Sequence, residues 1–184
     1  GMAIRWSKIA YVQKSGITVV DNSNVLIISN EITRCGLGSQ FSGAIQLSLQ
    51  NNSHSCSPTI FDNYIHHNEK QGITLANMFN YDNMAPTVEY NEICYNYTGI
   101  YLYAGNGTYS RNNIHHNFME NNPDSGAGVM LYGNNANAVF TYNEIHFLTS
   151  LGSAYAFYLR YCNNCSVIDH NFVGYSTGDG TLNP

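Results

Sequence analysis

The chain has 184 residues, 43% of them hydrophobic, enough for one domain with its own core. Only 10% are charged, against about 25% in ordinary globular domains, while Asn occurs 26 times and Tyr 15 times, so the polar surface is built from amides and hydroxyls. A net charge of -5 with only seven Lys and Arg argues against nucleic acid or an anionic membrane as partner, because both demand clustered cations.

No apolar run approaches the roughly 18 residues of a membrane span. The chain opens Gly1-Met2-Ala3, with a Gly before Met of the kind left by tag removal, a history in which a secretion signal is cut away before these residues. The first recognisable element follows at once: Ile4, Ser7 and Ile9, then Gly16-Ile17-Thr18-Val19. The same pair of boxes returns as Ile27, Asn30 and Ile32 with Ile45/Leu47, and as Ile60, Asn63 and Ile65 with Gly72 and Ile73/Leu75. It continues as Val88, Asn91 and Ile93 with Gly99 and Ile100/Leu102, then as Tyr109, Asn112 and Ile114 with Gly128 and Val129/Leu131. Phe140, Asn143 and Ile145 with Phe157/Leu159 form the next copy, and Ile168, Asn171 and Val173 open another.

The first aliphatic residues of the second box fall 28, 28, 27, 29 and 28 residues apart, which is a structural period. Each box alternates apolar and polar residues over four to six positions, the spacing of a short strand and too short for a helix. Such a unit buries its apolar face only by coiling and stacking on the next copy, about 4.8 Å away. Asn at equivalent bends then passes amide hydrogen bonds from coil to coil. The loops Gly36 to Gly43, Ser48 to Pro58, Asn77 to Pro86 and Glu120 to Gly126 vary in length, and insertions of this kind cluster on one side of a solenoid.

The segments Asn63-Tyr-Ile-His-His-Asn68 through Gly72-Ile-Thr-Leu75, and Asn112-Asn-Ile-His-His-Asn117 through Gly128-Val-Met-Leu131, resemble the right-handed parallel β-helix repeats of the pectate-lyase-like superfamily. The resemblance covers residue 4 to about residue 175 and implies an all-β fold: one right-handed parallel β-helix of about six to six and a half coils, roughly 28 residues each, without clear end caps. Residues 1–184 are then one β-helix domain, either a segment of a longer solenoid or a unit that associates end to end as a homo-oligomer. For activity the resemblance is unspecific, since the superfamily holds lyases, hydrolases, epimerases, tailspikes, adhesins and proteins without known catalysis.

Outward columns across the coils are the places to look for chemistry. The residue before each ladder Asn reads Trp6, Ser29, Asp62, Tyr90, Arg111, Tyr142 and His170. A β-helix lyase could use Arg111 to stabilise an enolate beside a uronate carboxylate and Tyr90, Tyr142 or His115 to move the proton. The carboxylate cluster that would hold calcium in such lyases cannot be assembled, and no cofactor is expected. A second column reads Thr33, His66, Cys94, His115 and His146, beside His67, Tyr95 and His116. Imidazole and thiolate are zinc ligands, but ligands spaced along a line do not converge on one point, so the column is read for sugar hydrogen bonding through His66 and His146 and no metal is expected.

A third set, Tyr101, Tyr103, Met130, Tyr132, Tyr158 and Arg160, alternates with inward aliphatics. Aromatic faces on an amide-rich surface suit the C–H faces of sugars, and equally a protein interface. Glu92 and Glu144, two coils apart, approach the carboxylate spacing of an inverting glycosidase. Cys162 and Cys165 form a lone CxxC, and the sequons at Asn51, Asn96, Asn106 and Asn164 are no more than composition produces. The expected partner is an extracellular polysaccharide, with the chain outside the cell or on its surface; the alternative is a non-catalytic structural or adhesive solenoid.

Overall fold

Each repeat closes into one coil of three short strands, and successive coils stack in register. A computed structural model describes residues 1–38, 42–51, 53–76, 83–103, 105–119, 127–133, 137–146, 149–150, 155–160, 162 and 167–174. The first sheet takes Ala3–Arg5, Leu26–Ile28, Thr59–Phe61, Thr87–Glu89, Gly107–Ser110, Ala138–Thr141 and Val167–Asp169. The second takes Lys8–Ala10, Glu31–Thr33, Tyr64–His66, Glu92–Cys94, Asn113–His115, Glu144–His146 and Phe172–Val173. The third takes Ile17–Val20, Gly43–Ser48, Gln71–Leu75, Thr98–Leu102, Ala127–Tyr132 and Tyr155–Arg160. Every pairing in these sheets is parallel and joins one coil to the next, as the sequence period requires of a right-handed parallel β-helix. A fourth, two-stranded parallel sheet pairs Phe118–Met119 with Thr149–Ser150.

The core is made of stacked columns of like residues. Ile27 faces Ile60, Ile32 faces Ile65, and Ile73 faces Ile100, all fully buried. Each buried aliphatic side chain contributes about 1.5–3 kcal/mol relative to exposure. Where the first column turns aromatic, the rings of Tyr109 and Phe140 stack at 4.5 Å with an interplanar angle of 11°. The first two of these columns end on exposed Ile168 and Val173, and the neighbouring column of Leu75, Leu102 and Leu131 ends on exposed Leu159.

The Gly before the second box has a steric reason. A Cβ on Gly99 would lie 2.5 Å from the carbonyl oxygen of Gly128 and 2.6 Å from Ile114 Cγ2, closer than any real contact. The coil narrows there until only a hydrogen fits.

Between the first and second sheets the chain turns on two residues in every coil, and the second of them forms the ladder. Asn63 Nδ2 donates to Asn91 Oδ1 at 2.9 Å, Asn91 Nδ2 to Asn112 Oδ1 at 2.9 Å, and Asn112 Nδ2 to Asn143 Oδ1 at 2.9 Å. The same Asn91 Oδ1 accepts the backbone N–H of Asn63 at 2.9 Å, and Asn91 Nδ2 also donates to the carbonyl of Ile60 at 2.9 Å. A second ladder runs at the far end of the second sheet, from Cys35 N–H to Asn68 and on to Asn96 and Asn117. Asn63, Asn68, Asn91, Asn96, Asn112, Asn117 and Asn143 are all buried.

Asn91→Ala strips partners from several buried backbone groups, each costing about 1–3 kcal/mol when unpaired. The variant should lose roughly 2–4 kcal/mol in urea unfolding, and more than Asn171→Ala, whose ladder residue is only half-buried. Equal losses at the two positions would show that the ladder does not act as an internal support.

Candidate functional site

The residue before each ladder Asn occupies the left-handed region: φ is 57° at Tyr90, 54° at Arg111 and 57° at Tyr142, and Trp6, Ser29, Asp62 and His170 match them. A second left-handed column, Tyr11, Arg34, His67, Tyr95 and His116, precedes the second ladder. This conformation is uncommon for a bulky residue and a true outlier for a β-branched one, and neither column contains Val, Ile or Thr. The turn thrusts these side chains out from the corner, where they stack. The Arg111 guanidinium lies 5.6 Å from the ring centroids of both Tyr90 and Tyr142, and Tyr142 lies 5.2 Å from His170.

Arg111, Tyr90 and Tyr142 are thus brought together, as one exposed cation between two rings. His115 is not part of that group. It sits at the other end of the strand Asn113–His115, past the corner that carries Arg111, and its ring contacts are with Glu92 and His116. Glu92 and Glu144 both align with Asn113, one from each side, so two strand spacings of about 4.8 Å separate them, with an amide between.

The outer face of the second sheet carries the denser chemistry. Cys94 aligns with His66 on one side and His115 on the other, and His115 aligns with His146. His115 Nε2 lies 3.2 Å from Glu92 Oε1, and its Nδ1 lies 2.7 Å from Nδ1 of His116, one of the two rings carrying the shared proton. The arrangement occurs twice: His66 Nε2 is 3.3 Å from Glu31 Oε1 and His66 Nδ1 is 2.8 Å from His67 Nδ1. His146 Nε2 contacts Asn113 Oδ1 at 3.0 Å. The rings of His67, Tyr95 and His116 stack beside them at 4.7 and 5.0 Å.

Burial pushes the Cys94 thiol up to about 11, and it pushes the Tyr64 phenol beside it up to about 12. Glu92, Cys94 and His115 offer ligand atoms that all lie within 4.8 Å of one another. A single column cannot make a convergent set. These three converge because positions one and three after the ladder Asn share the outer face, so a carboxylate and a thiol of one coil meet the imidazole of the next. Strand alternation at Glu92 was the signal in the sequence that pointed to this third donor.

The third sheet presents the tyrosines. Tyr103 and Tyr132 stack at 5.3 Å with an interplanar angle of 17°, the Arg160 guanidinium lies 5.5 Å from the Tyr132 ring, and Tyr155 lies 5.1 Å from Tyr158. Tyr101 aligns with Thr74 and Met130, and burial raises its phenol to about 12. Thr74 points outward by alternation yet is fully buried, so the face is covered at that coil. The six residues expected to bind sugar therefore divide: Tyr101, Tyr132 and Tyr158 on the third sheet with Tyr103 just past the end of one of its strands, His66 and His146 on the second. The variable connections all flank the third sheet, because the corner between the first two is always two residues. Of those loops, residues 39–41, 52, 77–82 and 120–126 lie outside the described residues, as do Asn164 and Cys165 of the fourth sequon and the CxxC.

Stacked parallel coils and buried Asn ladders agree with the comparison to known families, in which the model described as right handed beta helix region matches residues 1–145. The chain belongs to the right-handed β-helix family. No curated protein and no solved structure matches it. Membership in the β-helix family accounts for the inward residues and the ladders, and leaves the outward columns to be read on their own chemistry. Among the described residues of this β-helix, no helix is long and apolar enough to cross a membrane.

The histidine face makes the β-helix acid-sensitive. Burial holds His66, His115, His116 and His146 below the usual imidazole value of 6.5. The unfolded chain then binds protons more readily than the folded one, so stability declines as the pH falls below 6.5 and on through the depressed folded values. Lys8, with His66, holds Glu31 below 4.5, which adds a loss of the same sign at lower pH. The melting temperature should fall between about pH 7 and about pH 5, and His115→Gln should flatten that slope. An unchanged slope would show that the drop originates elsewhere.

Proposed function

We propose that this β-helix binds an extended polysaccharide along the outer face of its third sheet. The observation that carries the reading is the row Tyr103, Tyr132 and Arg160, where two parallel rings at 5.3 Å and a guanidinium 5.5 Å from the second come from successive coils. Parallel rings at coil spacing offer flat apolar platforms for the C–H faces of consecutive sugars. Tyr101 and Tyr158 extend the platform, and Arg160 supplies a cation for an acidic unit. The chain's few charges and many amides fit a ligand recognised through hydroxyls, and such a ligand places the protein outside the cell or at its surface.

In a catalytic form of this reading, lyase- or epimerase-like, Arg111 stabilises the developing enolate, and Tyr90, Tyr142 or His115 moves the proton. The separation of Arg111 from His115 favours Tyr90 and Tyr142 as its partners in that role. His66 and His146, on the second sheet, would then contact the polymer outside the tyrosine face. A structural or adhesive solenoid is the second reading, favoured by the ring stacks on the two corner columns, Tyr142 with His170 and Tyr95 with His116, which suit a partner protein.

Titration against alginate, pectin and glycosaminoglycan separates these readings. Binding should appear with at least one polymer, and Tyr132→Ala should weaken it by about tenfold, the equivalent of one aromatic contact. Release of unsaturated or reducing ends that Arg111→Ala abolishes would establish the catalytic form. Absence of binding to every polymer would sink the carbohydrate reading and leave the adhesive one.

A further inference from the structure

We propose that the outer face of the second sheet holds a zinc-class divalent metal ion, with Glu92, Cys94 and His115 as its ligands. One carboxylate oxygen, one thiol sulfur and one imidazole nitrogen lie within 4.8 Å of one another. Ligands around one tetrahedral zinc stand about 3.4–3.6 Å apart, given bonds of about 2.0–2.3 Å. His115 Nε2 and Glu92 Oε1 already stand 3.2 Å apart. Cys94 Sγ approaches the same point from the sheet side, while the half-exposed carboxylate of Glu92 forms the solvent side. Three protein ligands of mixed type leave a fourth position toward solvent, the pattern of zinc sites that keep an exchangeable ligand.

The surroundings fit a metal ligand. His115 holds its other nitrogen, Nδ1, 2.7 Å from His116 Nδ1. Fixing the far ring nitrogen in this way orients a ligating imidazole and sets its tautomer. The ring of His146 stacks on His115 at 5.3 Å and limits its rotation.

The molecule also contains its own comparison. Glu31, His66 and His67 repeat the geometry of Glu92, His115 and His116, with 3.3 Å and 2.8 Å for the two contacts. There Thr33 stands where Cys94 stands in the other set, and Lys8 Nζ occupies the carboxylate of Glu31 at 2.6 Å. The carboxylate–imidazole pair is thus built twice and, among the described residues, one copy has a soft donor and a carboxylate without an ammonium partner. Thiolate selects zinc, cobalt and similar ions over calcium and magnesium.

The test is titration of the reduced, chelator-treated protein with Co²⁺ alone, read by absorbance. A thiolate-to-cobalt charge-transfer band in the near ultraviolet with visible ligand-field bands is expected, and Zn²⁺ should erase both. Cys94→Ser should remove the near-ultraviolet band, and Glu92→Gln, a change at an exposed side chain, should weaken Co²⁺ binding by about tenfold or more. His66→Gln should bind as the parent does, and far-ultraviolet circular dichroism of each variant verifies that it is folded. The proposal is overturned by no band at a large excess of Co²⁺, by a band that survives Cys94→Ser, or by unchanged affinity in folded Glu92→Gln.

Discussion

The structure depends on the amide column at the corner between the first and second sheets. A tight two-residue turn leaves backbone groups that cannot reach the sheet ladders, and buried groups of that kind must find partners. Asn91 serves three of them at once: its oxygen accepts from the backbone N–H of Asn63, and its nitrogen donates to the carbonyls of Ile60 and Glu89, while the side chains of Asn63 and Asn112 join it to the coils on either side. With the turn satisfied internally, the corner needs neither water nor charge. This is why a chain with 10% charged residues can close coil after coil around an aliphatic core.

That corner also decides where chemistry can stand. Because the ladder satisfies the backbone, the residue before it is held in the left-handed region whatever its type, provided it is not β-branched. Trp6, Asp62, Arg111 and Tyr142 share one conformation and differ only in what they display. The same reasoning separates the three surfaces. The corner columns present stacked rings and cations on a convex edge, the second sheet presents closely spaced imidazole, carboxylate and thiol, and the third sheet is the face that the variable connections border.

What repeats in the sequence was legible, and what depends on neighbouring coils was less so. Ile93, Ile100, Leu102 and Asn91 announced themselves because their equivalents recur, and each lies in the core or the ladder. Gly99 recurs too, but that it is needed for a close approach to Gly128, with an ordinary backbone, emerges only when the coils are stacked. Thr74 reads as outward by alternation and is buried, since alternation describes one strand and says nothing of what lies over it. Tyr90, Arg111 and Tyr142 form the column that their repeat positions predict, whereas His115 stands apart from them because it lies at the far end of the strand that follows the corner. Cys94 and His115 share a legible column, whereas Glu92 stands in another and meets them because positions one and three after the ladder Asn lie on the same outer face.

The amide column has a direction. From Asn30 through Asn63, Asn91, Asn112 and Asn143 to Asn171, every side-chain nitrogen donates to the oxygen of the coil that follows, and none is reversed. The dipoles therefore add along the axis, and each bond polarises the next. A coil can consequently be removed or duplicated as a whole, since the oxygen it presents to one neighbour and the amino group it presents to the other are those of any other coil. An inverted coil would set oxygen against oxygen. The unit of change open to this chain is one complete turn in one orientation, while the outward residues within that turn remain exchangeable singly.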